Sequence, residues 1–222
     1  MVTVITHVAS LALLWIVWLW LATRELSEVQ YLGIAIGGAF LVVPLALLGR
    51  RLIDREADVN HARRVTSVGH YLLALFFGCS LIAAVRLGQS SNRWPISLPP
   101  WLGLVVMALA GLVWLAVIFV LVERGMGIPF AVGLTRIVVT DWIYAWTRNP
   151  MVLSALAFLV GLGLWLGSAL FLVWVLVVFM PAAIMVITIY EERELEIRFG
   201  PEYQAYKERT PRFIPRRPTG IS

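Results

Sequence analysis

An all-α bundle threaded through a membrane is the fold class this sequence predicts, on three observations. The chain is 222 residues long with 60% apolar and only 14% charged residues, and its mean hydropathy is +0.86. A soluble domain is about 45–50% apolar and about 25% charged, and one small core cannot hide this excess. The apolar residues also gather into stretches near 4–23, 31–49, 67–85, 101–122, 150–166 and 169–190, each close to the roughly 20 residues that carry a helix across a hydrocarbon core. Finally, the basic residues crowd into alternate connections. That composition argues against a secreted domain, a disordered chain and a soluble dinucleotide-binding enzyme.

Each stretch is expected to be helical because backbone in lipid must satisfy its own hydrogen bonds, and the alternation of a membrane barrel is absent. The first stretch is read as an anchor, since no Lys or Arg precedes it and its apolar core exceeds the roughly 7–15 residues of a signal peptide. The last two are separated only by Gly167 and Ser168, which requires a tight antiparallel hairpin. Gly33 with Gly37, and Gly163 with Gly167, have the spacing that lets helices approach closely. Pro181, inside the sixth stretch, is expected to kink it.

Arg50, Arg51, Arg55, Arg63 and Arg64 lie between the second and third spans, and Arg124, Arg136 and Arg148 between the fourth and fifth. Arg193, Arg198, Lys207, Arg209, Arg212, Arg216 and Arg217 follow the last, leaving Arg24, Arg86 and Arg93 for the other side. The positive-inside rule then places both termini in the cytoplasm. The net charge of +5 is read as this topology signal and not as a nucleic-acid surface. A basic set of Arg with a single Lys fits a GC-rich genome and hence a bacterial inner membrane. Cys79 stands alone, so no disulfide framework exists within one chain.

The chain divides into residues 1–100, three spans without a recognisable pattern, and 101–222, where the polar chemistry sits. From Glu191 the tail turns polar; Gly200-Pro201 stops its first helix. Tyr203 and Tyr206 follow one turn apart, and Pro211, Pro215 and Pro218 end regular structure. Leu195 and Phe199, spaced i and i+4, are expected to dip into the membrane interface. Because the fifth and sixth spans start and finish on one side, the hairpin brings Arg148-Asn149-Pro150 to Glu191-Glu192. Gly125-Met126-Gly127 is no dinucleotide fingerprint, since Phe130 replaces the third glycine and no strand precedes it. His7, His61 and His70 lack metal spacing, and no metal is expected; His70 reads as an interfacial histidine.

Residues from about 104 to 217 resemble the isoprenylcysteine carboxyl methyltransferase and phospholipid methyltransferase superfamily of integral membrane enzymes. The resemblance is carried by Arg124-Gly125-x-Gly127, Tyr144, Arg148-Asn149-Pro150-Met151, the hairpin and Glu191-Glu192. It continues in Arg198-Phe199-Gly200-x-Glu202-Tyr203-x-x-Tyr206 and Pro211-Arg212-Phe213-Ile214-Pro215. It implies methyl transfer from S-adenosylmethionine to a lipophilic small molecule or lipid. Arg148, Asn149 and Met151 would belong to the cofactor pocket, with Glu191 and Glu192 opposite and Tyr144, Tyr203 and Tyr206 closing it. Gly125 and Gly127 would belong to the same cofactor set, and Arg148 and Asn149 would be the catalytic pair. The family often has His at 149, Tyr at 152 and Gly at 154, where this chain has Asn149, Val152 and Ser154. These differences bear on the acceptor more than on the cofactor.

The chemistry is consistent with the residue types. A carboxylate calls for Arg, an ammonium or ribose hydroxyls for Glu, and an adenine for an aromatic or apolar slot. Displacement on an activated methyl needs alignment and dehydration more than acid–base groups. Two other readings stay open: an NADPH-dependent sterol-type reductase, with Arg209, Arg212, Arg216 and Arg217 for the extra phosphate, and a non-enzymatic scaffold.

Overall fold

The computed structural model describes residues 2–90, 94–125 and 134–218, with side chains from Ile5 onward. The described residues form seven helices, and we number them in order. They are α1 (Val2–Thr23), α2 (Glu28–Arg55), α3 (Val59–Ser90), α4 (Pro100–Gly125), α5 (Pro150–Trp165), α6 (Ala169–Phe199) and α7 (Pro201–Arg209). Helices α1 to α4 and α6 are long and apolar enough to cross a membrane, whereas α5 is a shorter apolar helix. Large apolar side chains stay uncovered on their outer faces, among them Ile16 (63% exposed), Leu112 (65%) and Phe119 (64%). Such a surface is stable against lipid and not against water, so this is an integral membrane protein.

The expected 50–66 loop is a correction. Helix α2 runs to Arg55 and α3 starts at Val59, because the arginines there are good helix formers. Asp58 accepts from the backbone N–H groups of Asn60 and His61 at 2.8 and 2.9 Å, which caps the new helix.

Glycine packing also differs from expectation. A Cβ on Gly33 or Gly37 would meet nothing within 4 Å, so these two make no close approach among the described residues. Gly38 does so instead: its Cβ would sit 2.8 Å from the Phe76 carbonyl oxygen of α3. Between α4 and α5, a Cβ on Gly161 would lie 2.8 Å from the Met107 nitrogen. Gly163 packs against Phe171 and Leu172 across the hairpin, while Gly167 makes the turn with φ 63°. Ser168 then caps α6 by accepting from Phe171 N–H.

Helix α6 is not a uniform α-helix. It widens into π-helical turns at Trp174–Phe179 and Ile187–Glu191. Pro181 lies just after the first, where its missing N–H is accommodated. The second ends on the acidic pair; such turns are frequent at functional sites. The core around α6 uses Phe171, Trp174 and Val175 toward one end and Val42, Ile53, Val186 and Tyr190 toward the other.

Candidate functional site

The end of the bundle that bears the tail is held by polar ties. Arg193 Nε donates to Asp54 Oδ1 of α2 at 2.7 Å. Arg198 donates to Glu194 at 2.8 Å and to the Thr135 carbonyl, with both charged side chains 3% exposed. Lys207 Nζ reaches Glu196 Oε1 at 2.6 Å, which fastens α7 onto α6. A turn at Trp142–Ala145 approaches the site from the other direction. Arg124, in the last turn of α4, pairs with Asp141 and lies over the Trp142 ring at 5.2 Å. Trp142 has φ 52°, a backbone conformation that costs about 1–3 kcal/mol in a bulky residue. Arg124 contacts hold that turn in place.

The extended segment after α7 is strapped along 146–149. Thr147 Oγ1 donates to the Arg212 carbonyl at 3.0 Å, Asn149 Nδ2 donates to the same oxygen at 3.0 Å, and Arg148 N–H donates to the Pro211 carbonyl at 2.9 Å. Arg216 N–H closes the strap on the Trp146 carbonyl at 3.0 Å. Arg212 turns its side chain inward and grips Glu192 through Nε at 2.8 Å and Nη2 at 2.6 Å. Glu192 also meets Arg148 Nη1 at 2.7 Å, with both side chains under one-tenth exposed.

Beneath the strap lies a cavity of about 300 Å³. Tyr144, Arg148, Asn149 and Met151 border it on one side, Glu191 and Glu192 on another, and Tyr203 and Tyr206 form its lid. Eight of the ten residues expected to hold a cofactor therefore share one space. Gly125 does not border it; its Cβ would press on Thr135 and Val139 behind the wall. Gly127 falls outside the described residues. Leu195 and Phe199, expected at the membrane interface, instead line the cavity.

Two charged groups are left with unused capacity. Arg148 Nε is buried without a hydrogen-bond partner among the described residues, while Nη1 is taken up by its 2.7 Å ionic contact with Glu192. Glu191 has no ion pair among the described residues; its charged neighbours Glu192 and Glu194 are like-charged. A carboxyl group without a cationic partner beside an unused guanidinium donor leaves places for both a cation and an anion.

The aromatic lid is neutral. Burial raises the phenols of Tyr144, Tyr203 and Tyr206 well above their ordinary value, and nearby glutamates add to the effect at Tyr144 and Tyr203. Tyr206 accordingly keeps its proton and donates to the Tyr144 carbonyl at 2.8 Å.

The reading of the sequence missed Thr66 and His70, which come from α3 and border the cavity. Their i, i+4 spacing put them on one helical face, the only available signal. Tyr190, whose hydroxyl sits 2.7 Å from Thr66 Oγ1, was also missed. Arg212 is engaged by Glu192 and Thr188 and so is not a free phosphate-binding group, which weakens the reductase reading.

The model of the phospholipid methyltransferase family matches residues 98–202, from just before α4 into the start of α7. No curated protein and no solved structure matches the chain. Over these residues the chain is similar to that family, which lies within the superfamily of isoprenylcysteine carboxyl and phospholipid methyltransferases. The class this similarity suggests is a membrane methyltransferase. The match takes in Arg148, Asn149, the hairpin and both glutamates, but neither α1 to α3 nor the strap after Arg209.

Proposed function

We propose that the protein transfers a methyl group from S-adenosylmethionine to a lipophilic acceptor at the membrane surface. The observation that supports this reading is the juxtaposition of Arg148, with Nε spare, and Glu191, without a cationic partner among the described residues, in the cavity beneath the strap. The donor set fits the cofactor. Arg148 would take its carboxylate, Glu191 its ammonium or the sulfonium, and Met151 with the aromatic lid its adenine.

When bound, the cofactor supplies a methyl group already activated on a cationic sulfur. The protein's own contribution is alignment and dehydration. Tyr203 and Tyr206 exclude water from above, and the neutral phenols add no competing charge. Asn149 uses its amide to hold the Arg212 carbonyl, so it shapes the pocket from the strap side. Arg148 and Asn149 together fix the pocket's geometry; the acceptor would arrive from the lipid. We also propose that the strap end faces the cytoplasm of a bacterial inner membrane, which the arginine distribution supports.

The test has two readouts on purified protein in detergent. Calorimetry should show saturable, stoichiometric S-adenosylhomocysteine binding, and radiolabelled S-adenosylmethionine should pass label into a lipid extract. Absence of both in a folded sample would overturn the reading; thermal stabilisation by NADPH instead would favour the reductase.

A further inference from the structure

The cavity beneath the strap is bordered by two guanidinium–carboxylate pairs, and the proposed cofactor contacts use only one of them. Arg148 pairs with Glu192, and Arg198 pairs with Glu194. At about 100° per residue, Glu191 lies between the two glutamates on the surface of α6. The Arg198 pair belongs to the side of α3, from which Thr66 and His70 also line the cavity. His70 lies outside the family match.

Thr66 fixes this second arm. Its hydroxyl is 2.7 Å from that of Tyr190 and also bonds the Glu194 carboxylate. Residues 66 and 70 are one turn apart on α3, as 190 and 194 are on α6, so the two helices meet along a matched face. His70 and Arg198 are close enough to interact electrostatically. Arg198 uses Nη1 on Glu194 and Nη2 on the Thr135 carbonyl. Its Nε is buried without a hydrogen-bond partner among the described residues, on a side chain only 3% exposed. A buried donor left unmade is costly, which favours a ligand oxygen at that place. The arm therefore joins one spare N–H donor to one imidazole, the side chain best suited to take a proton near neutral pH.

Those two groups select among nucleophiles by their lone pairs and protons. An amine attacks with its single lone pair and keeps none for Nε. A carboxylate has no proton to give, which leaves the imidazole idle. A hydroxyl uses both: one lone pair accepts from Nε, the other attacks, and the proton has a base beside it. We propose that this arm seats a hydroxyl group of the lipophilic acceptor, with Arg198 Nε donating to its oxygen and His70 taking its proton, so that the product is a methyl ether. The assignment rests on the methyltransferase reading. The oxygen's free lone pair forms the new C–O bond as the C–S bond breaks, and the C–S electron pair stays on sulfur. The hydroxyl proton passes to the imidazole, which becomes imidazolium and returns the proton to water after turnover.

The test uses the full chain in detergent, labelled with 15N-histidine and loaded with S-adenosylhomocysteine. The chain has three histidines, and His70→Gln identifies the His70 ring signals. The probes are 1-dodecanol, dodecylamine and dodecanoate, which share a tail and differ in head group. Dodecanol should shift the His70 ring nitrogens saturably. The shift should vanish in Arg198→Lys, which keeps a cation for Glu194 and lacks Nε. With radiolabelled S-adenosylmethionine, dodecanol should give an alkali-stable labelled ether. His70→Gln should lower kcat for it by at least about 100-fold with KM little changed, whereas Arg198→Lys should raise KM. Should Arg198→Lys fail to fold, the wild-type probe preference and His70→Gln decide the matter. A preference for dodecylamine or dodecanoate, no response to any probe, or a wild-type kcat in His70→Gln would each overturn the proposal. Weakened S-adenosylhomocysteine binding in either variant would assign the arm to the cofactor and overturn it as well. A folded wild-type protein that binds no S-adenosylhomocysteine would instead overturn the methyltransferase reading beneath it.

Discussion

Glu192 shares its carboxylate between Arg148 and Arg212, whereas Glu191 has no cationic partner among the described residues, and the two should respond differently to change. Glu192→Ala strands two guanidinium groups, one of them buried. Breaking such a pair costs about 3–5 kcal/mol, so thermal unfolding should move down sharply and the segment after Arg209 should become protease-sensitive. Glu191→Gln keeps volume and removes only charge. It should leave the melting temperature near wild type while weakening S-adenosylmethionine binding by about 1–3 kcal/mol, read by calorimetry. The two glutamates were legible in the sequence as a pair, but not their division of labour. That depends on Arg212, whose approach follows from how the strap lies over 146–149.

At the scale of elements, the strap and the hairpin position the cavity. Thr147→Val removes the donor to the Arg212 and Phe213 carbonyls. It should cost about 1 kcal/mol and speed amide exchange at Arg148 and Arg216, whose N–H groups bond across the strap. Hairpin packing is sensitive elsewhere: Gly161→Leu would drive a side chain into Met107 and Gly103. It should cost at least about 1–3 kcal/mol, measured as loss of folded yield in detergent. The Gly167-Ser168 turn and the stop at Gly200-Pro201 were readable because each imposes a backbone requirement on a named residue. The π-turns of α6 were not. They contain Trp174 and Tyr190 and leave no period in the sequence. The Gly33–Gly37 spacing misled for the converse reason: small residues permit an approach but do not compel it.

For the whole molecule, apolar content and basic asymmetry sufficed to read an all-α membrane bundle, because lipid leaves the backbone few alternatives. The contribution of α3 to the cavity was hidden, since Thr66 and His70 reach it only through three-dimensional packing. The neutral lid gives a property of the folded state. With phenols raised by burial, its stabilisation is fully present below the ordinary tyrosine value of 10.0 and is lost as pH rises toward the folded values. Ultraviolet titration should find fewer than all tyrosines ionising near pH 10, with the rest appearing together with unfolding.

The most direct measurement is an electron-density or cryo-EM map of the protein with S-adenosylhomocysteine added. The account predicts density under the strap, with a carboxylate against Arg148 and an ammonium against Glu191. A ligand lodged elsewhere, or a cavity filled by rearranged side chains with Arg148 and Glu191 turned apart, would contradict it.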